Sequence, residues 1–287
     1  MKSDVYLKKL HLELLDIIKE VDRVCSENNI TYYLAEGTLL GAVRHNGFIP
    51  WDDDIDISMT RNDFEKFIRI APEALDKRYE LRWITTQENY WQVFAKVSVK
   101  HTLFKEPGLI KFPPNGIFID IFPLDYSGPY SASHERKKRR MSHINSIIWS
   151  KNSDGHSFRH IVLRTLSSIF TTQQLHKLMS QVIRYRKGVY SHLVNYGSIY
   201  GPSKETFPIE WYGSGVRMAF EHINLIVPKE YLKILEAIYG PNFMQIPPIE
   251  KRRCHYPEKV IFSDGEEITF NRSPHFDTIK DQELNHK

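Results

Sequence analysis

Four carboxylates fall within five positions of one stretch: Asp52, Asp53, Asp54 and Asp56, set between Trp51 and the apolar residues of DIDISM. Asp54 and Asp56 lie two apart in an alternating segment. Ile55, Ile57 and Met59 share one face, and Asp54, Asp56 and Ser58 share the other. Like charges held that close repel unless a cation lies between them. Mg²⁺ or Mn²⁺ answers the pattern, because hard divalent ions take oxygen ligands and keep waters that a substrate phosphate displaces. Asp120 is embedded in IFIDIF, where Ile117, Ile119 and Ile121 alternate with Phe118, Asp120 and Phe122. An aspartate there is costly to bury unpaired, and service as a third metal ligand explains it. Upstream, Gly37-Thr38 opens a short helix whose free N–H groups and positive dipole end suit a phosphate. In this order the residues suit metal-assisted transfer at a nucleotide phosphate. Structural readings stand beside these. Asp52 and Asp53 suit a turn after Pro50, which is the preferred reading for Asp53. Asp54 and Asp56 suit a solvated edge-strand face, and Asp120 suits a pair with a buried lysine such as Lys96.

The elements that position these residues follow from periodicity. Leu7, Leu10, Leu14, Ile17, Ile18, Val21 and Cys25 predict an amphipathic helix over 5–28, ended by Asn28 and Asn29. ITYYLAEGT reads as a strand running into a turn at Glu36-Gly37-Thr38. TLLGAVRH reads as a helix with Thr38 as its N-cap. Gly47 and Pro50 break the chain before the acidic stretch. RNDFEKFIRIAPEAL predicts a helix; YELRWIT and VFAKVSVKHTLF predict strands. NGIFIDIFPLDY predicts another strand, bounded by Asn115-Gly116 and Pro123. After Gly128 helix reads on to roughly Leu193, with few strand signals. From about residue 207 turns, a short strand and a helix alternate, and the tail from 262 reads as polar and irregular. The fold class is α/β (α+β): a mixed sheet flanked by helices. The expected organisation is a catalytic core over 1–128, a helical, basic insertion over 129–204, and a segment over 205–287 that packs back on the core.

The 287 residues suffice for one large domain or two modest ones, and the net charge of +4 with a pI near 8.8 is a mild basic bias. The two cysteines, Cys25 and Cys254, form no CxxC pair, so neither a zinc ribbon nor a disulfide framework is indicated. Cys25 falls in the apolar helical pattern as a small core residue, consistent with a reducing, cytoplasmic compartment. Charges interrupt the N-terminal stretch, which lacks a signal-peptide core. No apolar run approaches the ~20 residues of a membrane span, so a soluble chain is expected. The basic run HERKKRR, 134–140, reads as a solvated helix face. The functional alternative is peripheral contact with an anionic membrane surface or a phosphate-rich glycan, at roughly 1 kcal/mol per basic residue. No nucleic-acid-binding motif accompanies the run.

The stretch EGTLLGAVRHNGFIPWDDDIDI resembles the signature of the LicD family, whose members transfer phosphocholine or related phospho-groups and whose animal relatives include the fukutin-type ribitol-phosphate transferases. FAKVSVKHT, IFIDIFPLD, FEHINLIVPKEYLKILEAIYG and NFMQIPPIEKR resemble further family blocks in the expected order. The likeness covers roughly 1–128 and 205–256. It implies a nucleotidyltransferase-like fold, a CDP-activated donor (most often CDP-choline) and a cell-surface glycan or glycolipid acceptor such as capsule, lipopolysaccharide or teichoic acid. It implies Asp54, Asp56 and Asp120 as metal ligands and Gly37 and Thr38 as the phosphate-binding turn. Other roles rest on chemistry. Lys96 needs an anionic partner, either a site aspartate or the donor phosphate. Arg44 suits the diphosphate bidentately, or the dipole at its helix end. Trp51 suits stacking on cytosine, a cation–π contact with choline, or packing. Asp125 suits the base that activates the acceptor hydroxyl, or a turn cap after Pro123. Glu221 and His222 are further acceptor-side candidates. The rival reading is a nucleotidyltransferase that attaches NMP to a small molecule or protein and releases pyrophosphate.

Overall fold

The computed structural model describes residues 2–88, 90–106, 115–152, 157–183, 190–252, 254 and 257–270. The apolar stripe of α1 (Lys2–Glu27) winds its buried side around Leu10, Leu14, Ile17, Ile18 and Val21. β1 (Tyr32–Leu34), α2 (Glu36–His45), β2 (Asp56–Thr60) and α3 (Arg61–Ala74) follow. The Thr60 side chain caps α3 by accepting from Asp63 N–H, so β2 passes into the helix with no loop. Next come β3 (Tyr79–Arg82), β4 (Ala95–Val99), β5 (Leu103–Lys105) and β6 (Phe118–Ser127). The sheet runs β1-β2-β6-β4-β3; β2 and β6 are parallel and the other neighbours on this path antiparallel. Ile57, Met59, Val97, Ile119 and Ile121 are fully buried on one face, in the same core as the stripe of α1 and Phe64 and Phe67 of α3. The opposite face carries the charged residues.

The chain leaves the sheet after β6 through α4 (Ala132–Asn152), α5 (Phe158–Ile169) and α6 (Thr172–Ile183). It returns as β7 (His192–Asn195), which pairs with β6 and with β8 (Thr206–Pro208). Then follow α7 (Ile209–Tyr212), the hairpin β9 (Val216–Phe220) and β10 (Ile223–Val227), and α8 (Tyr231–Tyr239). β11 (Lys259–Ile261) and β12 (Glu267–Thr269) form a small sheet with β5.

Several sequence expectations are corrected. Thr38 does not cap α2: the helix opens at Glu36 with Ala35 at the cap position, and the Thr38 hydroxyl accepts from Asp56 N–H at 2.8 Å. VFAKVSVKHTLF is two strands, because His101 takes the left-handed conformation between β4 and β5. Pro123 lies inside β6 rather than at its end. Asp120 N–H points to β2, so the alternation turns the Pro123 nitrogen to the other edge. There β4 pairs only through Ile121 and β7 only from Leu124, so no ladder bond is lost. Residues 184–189 of the expected helix lie outside the described residues, and His192–Asn195 is strand in the central sheet; that short run of four residues carries too little pattern to outweigh its helical surroundings. Past 262, β12 is ordered as strand, and the rest of the tail, 271–287, lies outside the described residues.

The basic run is divided by helical geometry. His134, Met141, Ile144 and Ile148 face inward, Arg136, Arg139 and Arg140 outward. Lys137 and Lys138 are half-buried on the flank, and the Lys138 ammonium donates to Ser198 O. The face is therefore solvated only in part. Cys25 is buried, and burial pushes its thiol up and out of reactive range.

Candidate active site

Four charged residues stand in register across four neighbouring strands. Asp56 on β2 is the Cα partner of Asp120 on β6, Asp120 of Lys96 on β4, and Lys96 of Arg82 on β3. Register partners project from the same face, so two carboxylates meet two cations along one line. The Lys96 ammonium is 2.7 Å from Asp120 Oδ1, its side chain is 1% exposed, and it lies 3.3 Å from the centre of the Phe118 ring. Of the two partners open to Lys96, the structure supplies the site aspartate. Burial pushes the Asp120 carboxyl up to about 6 despite the opposing pull of Lys96. Burial and the neighbouring Asp54, Glu36, Asp120 and Asp52 push Asp56 well above the usual carboxylate range.

The approach to β2 is built around the acidic loop. Carboxylate oxygens of Asp52, Asp53 and Asp54 lie within 4.8 Å of one another. Asp52 N–H closes a turn onto Ile49 O at 2.9 Å, while Asp53 is buried beyond that turn. His11 on α1 donates to Asp52 O at 2.7 Å and stacks on Phe48 at 3.9 Å, fixing the loop from below. Gly37 belongs to the first turn of α2, and a Cβ there would stand 2.8 Å from Asp52 Oδ2. The helix start, which the sequence reading assigned to phosphate, thus sits directly against the acidic loop. Gly41 packs so close that a Cβ would meet Gly47 O at 2.5 Å.

Behind the row lies a second pair of acids. Glu36 opens α2 at φ 43°, is 8% exposed, and its Oε1 is buried without a hydrogen-bond partner. Burial raises it to about 7, with Asp54 and Asp120 adding to the rise. Glu205 accepts from Ser198 Oγ at 2.9 Å, and burial followed by the charge of Glu36 pushes it up to about 8. Sequence reasoning missed His11, Glu36 and Glu205. A signal existed for Glu36, since an acid directly after the apolar YYLA carries the same anomaly as Asp120 in IFIDIF. Glu205 and His11 carry no local signal.

Other candidates are placed elsewhere. Asp125 is not on the Asp120 face: it is five positions further along β6, so the alternation turns it to the opposite side. There its buried carboxylate takes a bidentate pair from Arg61, 2.8 Å to Nε and 2.9 Å to NH2. The structure thus does not bring it to the row as a base, nor is it a turn cap. Arg44 donates to Phe243 O and Gln245 O at 3.0 and 3.3 Å and to His45 at 3.0 Å, joining α2 to the turn after α8. Trp51 is half-buried between His45, edge-on at 5.9 Å, and the Arg252 guanidinium at 4.3 Å from its ring centre. Packing against the protein's own cation occupies that ring face. Glu221, held at φ 54°, accepts from Phe48 N–H at 3.1 Å and donates its own N–H to Asn46 O at 2.7 Å. It latches the Asn46–Phe48 turn, and His222 beside it is exposed.

The donor set fits Mg²⁺ or Mn²⁺. It is all oxygen, and burial pushes the Asp56 and Asp120 carboxyls up, joined for Asp56 by the charge of the neighbouring acids. The orphaned Glu36 Oε1 at its edge is a further sign of missing positive charge.

Across 268 residues the chain is 28% identical to a Haemophilus influenzae protein named lipopolysaccharide cholinephosphotransferase LicD, covering 88% of this chain and 97% of that protein. Two uncharacterised proteins, from Rickettsia typhi and Rickettsia prowazekii, are 40% and 43% identical over 75 and 77 residues. These are 26% and 25% of this chain, and 24% and 29% of theirs. Residues 29–168, which hold the acidic loop, the Asp56–Asp120–Lys96 row and α2, match the family model described as LicD/FKTN/FKRP, nucleotidyltransferase domain, so this segment is a LicD family domain.

Proposed function

We propose that this protein transfers phosphocholine, or a similar phospho-alcohol, from a CDP-activated donor to a hydroxyl of lipopolysaccharide or another cell-surface glycan, with a divalent cation. The observation that carries the reading is the registered row Asp56–Asp120–Lys96 beside Asp54. The full-length likeness to a protein named for cholinephosphate transfer supports the chemistry.

Asp54, Asp56 and Asp120 would hold Mg²⁺ or Mn²⁺, which supplies charge neutralisation at the donor phosphates and at the departing CMP. Lys96 favours the ionised form of Asp120 and fixes its carboxylate. The Thr38 hydroxyl holds the start of β2 through Asp56 N–H, tying the first turn of α2 to the carboxylates. The backbone N–H groups of Gly37 and Thr38, in the first turn of α2, would take the donor phosphate. Attack by the glycan hydroxyl forms the new O–P bond as the bond to CMP breaks, and the hydroxyl proton passes to water or to the phosphate of the departing CMP. Positioning and electrostatics supply most of the rate. Arg136, Arg139 and Arg140 give the protein a cationic face for peripheral contact with an anionic membrane in the cytoplasm. Among the described residues, no helix is long and apolar enough to cross a membrane.

Phosphorus NMR with Mg²⁺ or Mn²⁺ and a panel of CDP-alcohols, with and without a surface-glycan extract, tests the reading. Metal-dependent CMP formation with one donor, lost in Asp54→Ala, supports it. Consumption of CTP or ATP with pyrophosphate release in its place overturns it.

A further inference from the structure

A cleft of about 700 Å³ lies outside the carboxylate group, between the segment that follows β3 and the connection from α5 to α6. That is a volume typical of small-molecule sites. Its walls are rich in hydroxyls and amides, among them Thr85, Gln87, Ser168, Thr171 and Gln173. Two opposite charges face each other across it, Glu88 and Lys151, and Glu88 acts on the Lys151 ammonium. Burial lowers the His176 imidazole below its ordinary range, so that ring is neutral. The cleft therefore has no net charge. That argues against a nucleotide or phosphate occupant, which needs convergent cations. It equally argues against an apolar occupant, which would leave the lining hydroxyls and amides unpaired.

One aromatic ring completes the lining. Phe170 is 46% exposed, and its carbonyl accepts from the Lys151 ammonium at 2.9 Å, which ties its backbone to α4 at the lining of the cleft. Hydroxyls and amides beside an exposed aromatic side chain match a pyranose ring, whose edge is all hydroxyl and whose face is C–H.

The cleft also connects to the catalytic row. Its upper wall continues directly from Arg82, the register partner of Lys96. On its floor, the His176 side chain donates to Tyr90 O, and the buried Tyr90 phenol is pushed up by burial and then by the charge of Asp120. The β3–β4 connection thus runs from Arg82 of the row into the lining of the cleft at residues 84–88.

We infer that this cleft binds an uncharged stretch of the acceptor oligosaccharide, holding the glycan while its reactive hydroxyl reaches the carboxylate row. This rests on the proposed transfer to a glycan, but the test separates the two. Saturation-transfer NMR is run with the core oligosaccharide freed of lipid from lipopolysaccharide, with no donor or metal present. Saturation of sugar protons is expected with the wild type and with Asp56→Asn. Phe170→Ala should bind roughly tenfold more weakly, the loss of about 1.4 kcal/mol. Thr171→Arg, which fills the cleft with a long cation, should abolish binding. Gln173→Ala, expected to weaken it severalfold, stands in if thermal melting shows Thr171→Arg unfolded. No saturation with the wild type, or equal saturation across the cleft variants, overturns the inference. Failure of the transfer reading shows separately, as oligosaccharide binding in a protein that releases no CMP from any CDP-alcohol.

Discussion

Asp56 and Asp120 stand directly across from each other on the parallel strands β2 and β6, with the Asp120 N–H bonded to Ile55 O at 2.9 Å beside them. The backbone ladder thus sets two acidic residues side by side on one face. Without a cation this destabilises the protein. Asp56→Asn is therefore expected to raise the stability of the chelator-treated protein by about 1 kcal/mol while removing any stabilisation by added Mn²⁺. Transfer should fall about a thousandfold or more. Urea unfolding with and without Mn²⁺, beside a CMP-release assay, checks all three; a metal response as large as that of the wild type would exclude Asp56 as a ligand.

Lys96 offers the opposite sign. Its removal leaves Asp120 buried without its cation, so Lys96→Met should destabilise the metal-free protein by about 3 kcal/mol. Saturating Mn²⁺ should return part of that loss, because the metal replaces the missing charge. Denaturation midpoints in chelator and in Mn²⁺ measure the difference.

The placement of the acidic residues on their strands was legible in the sequence, and what was hidden has a physical reason. Asp54, Asp56 and Asp120 betrayed themselves as acids inside apolar alternation, and β2 and β6 do bring Asp56 and Asp120 face to face. The helices α1 and α3 were readable from their stripes. Roles that depend on pairing were not readable. The parity of β6 separates Asp125 from Asp120, but only knowledge that the strand continues through Pro123 reveals it. Arg44 and Trp51 looked available for a ligand because their partners lie some two hundred residues away, in 243–252. β7 was lost in a helical context because four residues hold little periodicity.

The Asp125–Arg61 pair provides a test of structural against catalytic roles. Breaking it with Arg61→Met should destabilise the fold by about 3 kcal/mol, since it strands a buried carboxylate. The double change Arg61→Met with Asp125→Asn should recover much of that loss. Its turnover per folded molecule should stay within a fewfold of the wild type. A drop of about a thousandfold would restore Asp125 as the base.

Stability should also report the buried acids. Their folded-state values, about 6 for Asp120, about 7 for Glu36 and about 8 for Glu205, lie above the ~4 of an unfolded carboxyl. The folded state therefore holds more protons than the unfolded one, and stability falls as pH rises from about 4 to about 8. In chelator this slope should be clear in urea unfolding, and Glu205→Gln should flatten its upper part. A slope that is flat or rising across that window would contradict the buried placement of these groups.

Gly41 sets the geometry of the acidic loop through the space it leaves empty. Gly41→Ala forces a methyl against Gly47 O and Ile49 N, at 2.5 and 3.1 Å before any shift. About 1–3 kcal/mol of destabilisation is expected. Mn²⁺ affinity should fall with it, because the same loop carries Asp52 to Asp54; unchanged affinity would show that the loop yields without moving its acids.

The excursion formed by α4, α5 and α6 begins and ends at one rung of the sheet, since Ser127 and His192 are Cα partners on β6 and β7. Its two ends are therefore already held together by the ladder, whatever lies between them. A segment anchored this way can be lengthened, shortened or exchanged without shifting the register of β2, β4 and β6. In the proposed reaction the strands carry the chemistry, and the excursion forms one wall of the neutral cleft. A chimaera that transplants residues 132–183 from a relative would thus redirect what is modified while leaving how it is modified untouched.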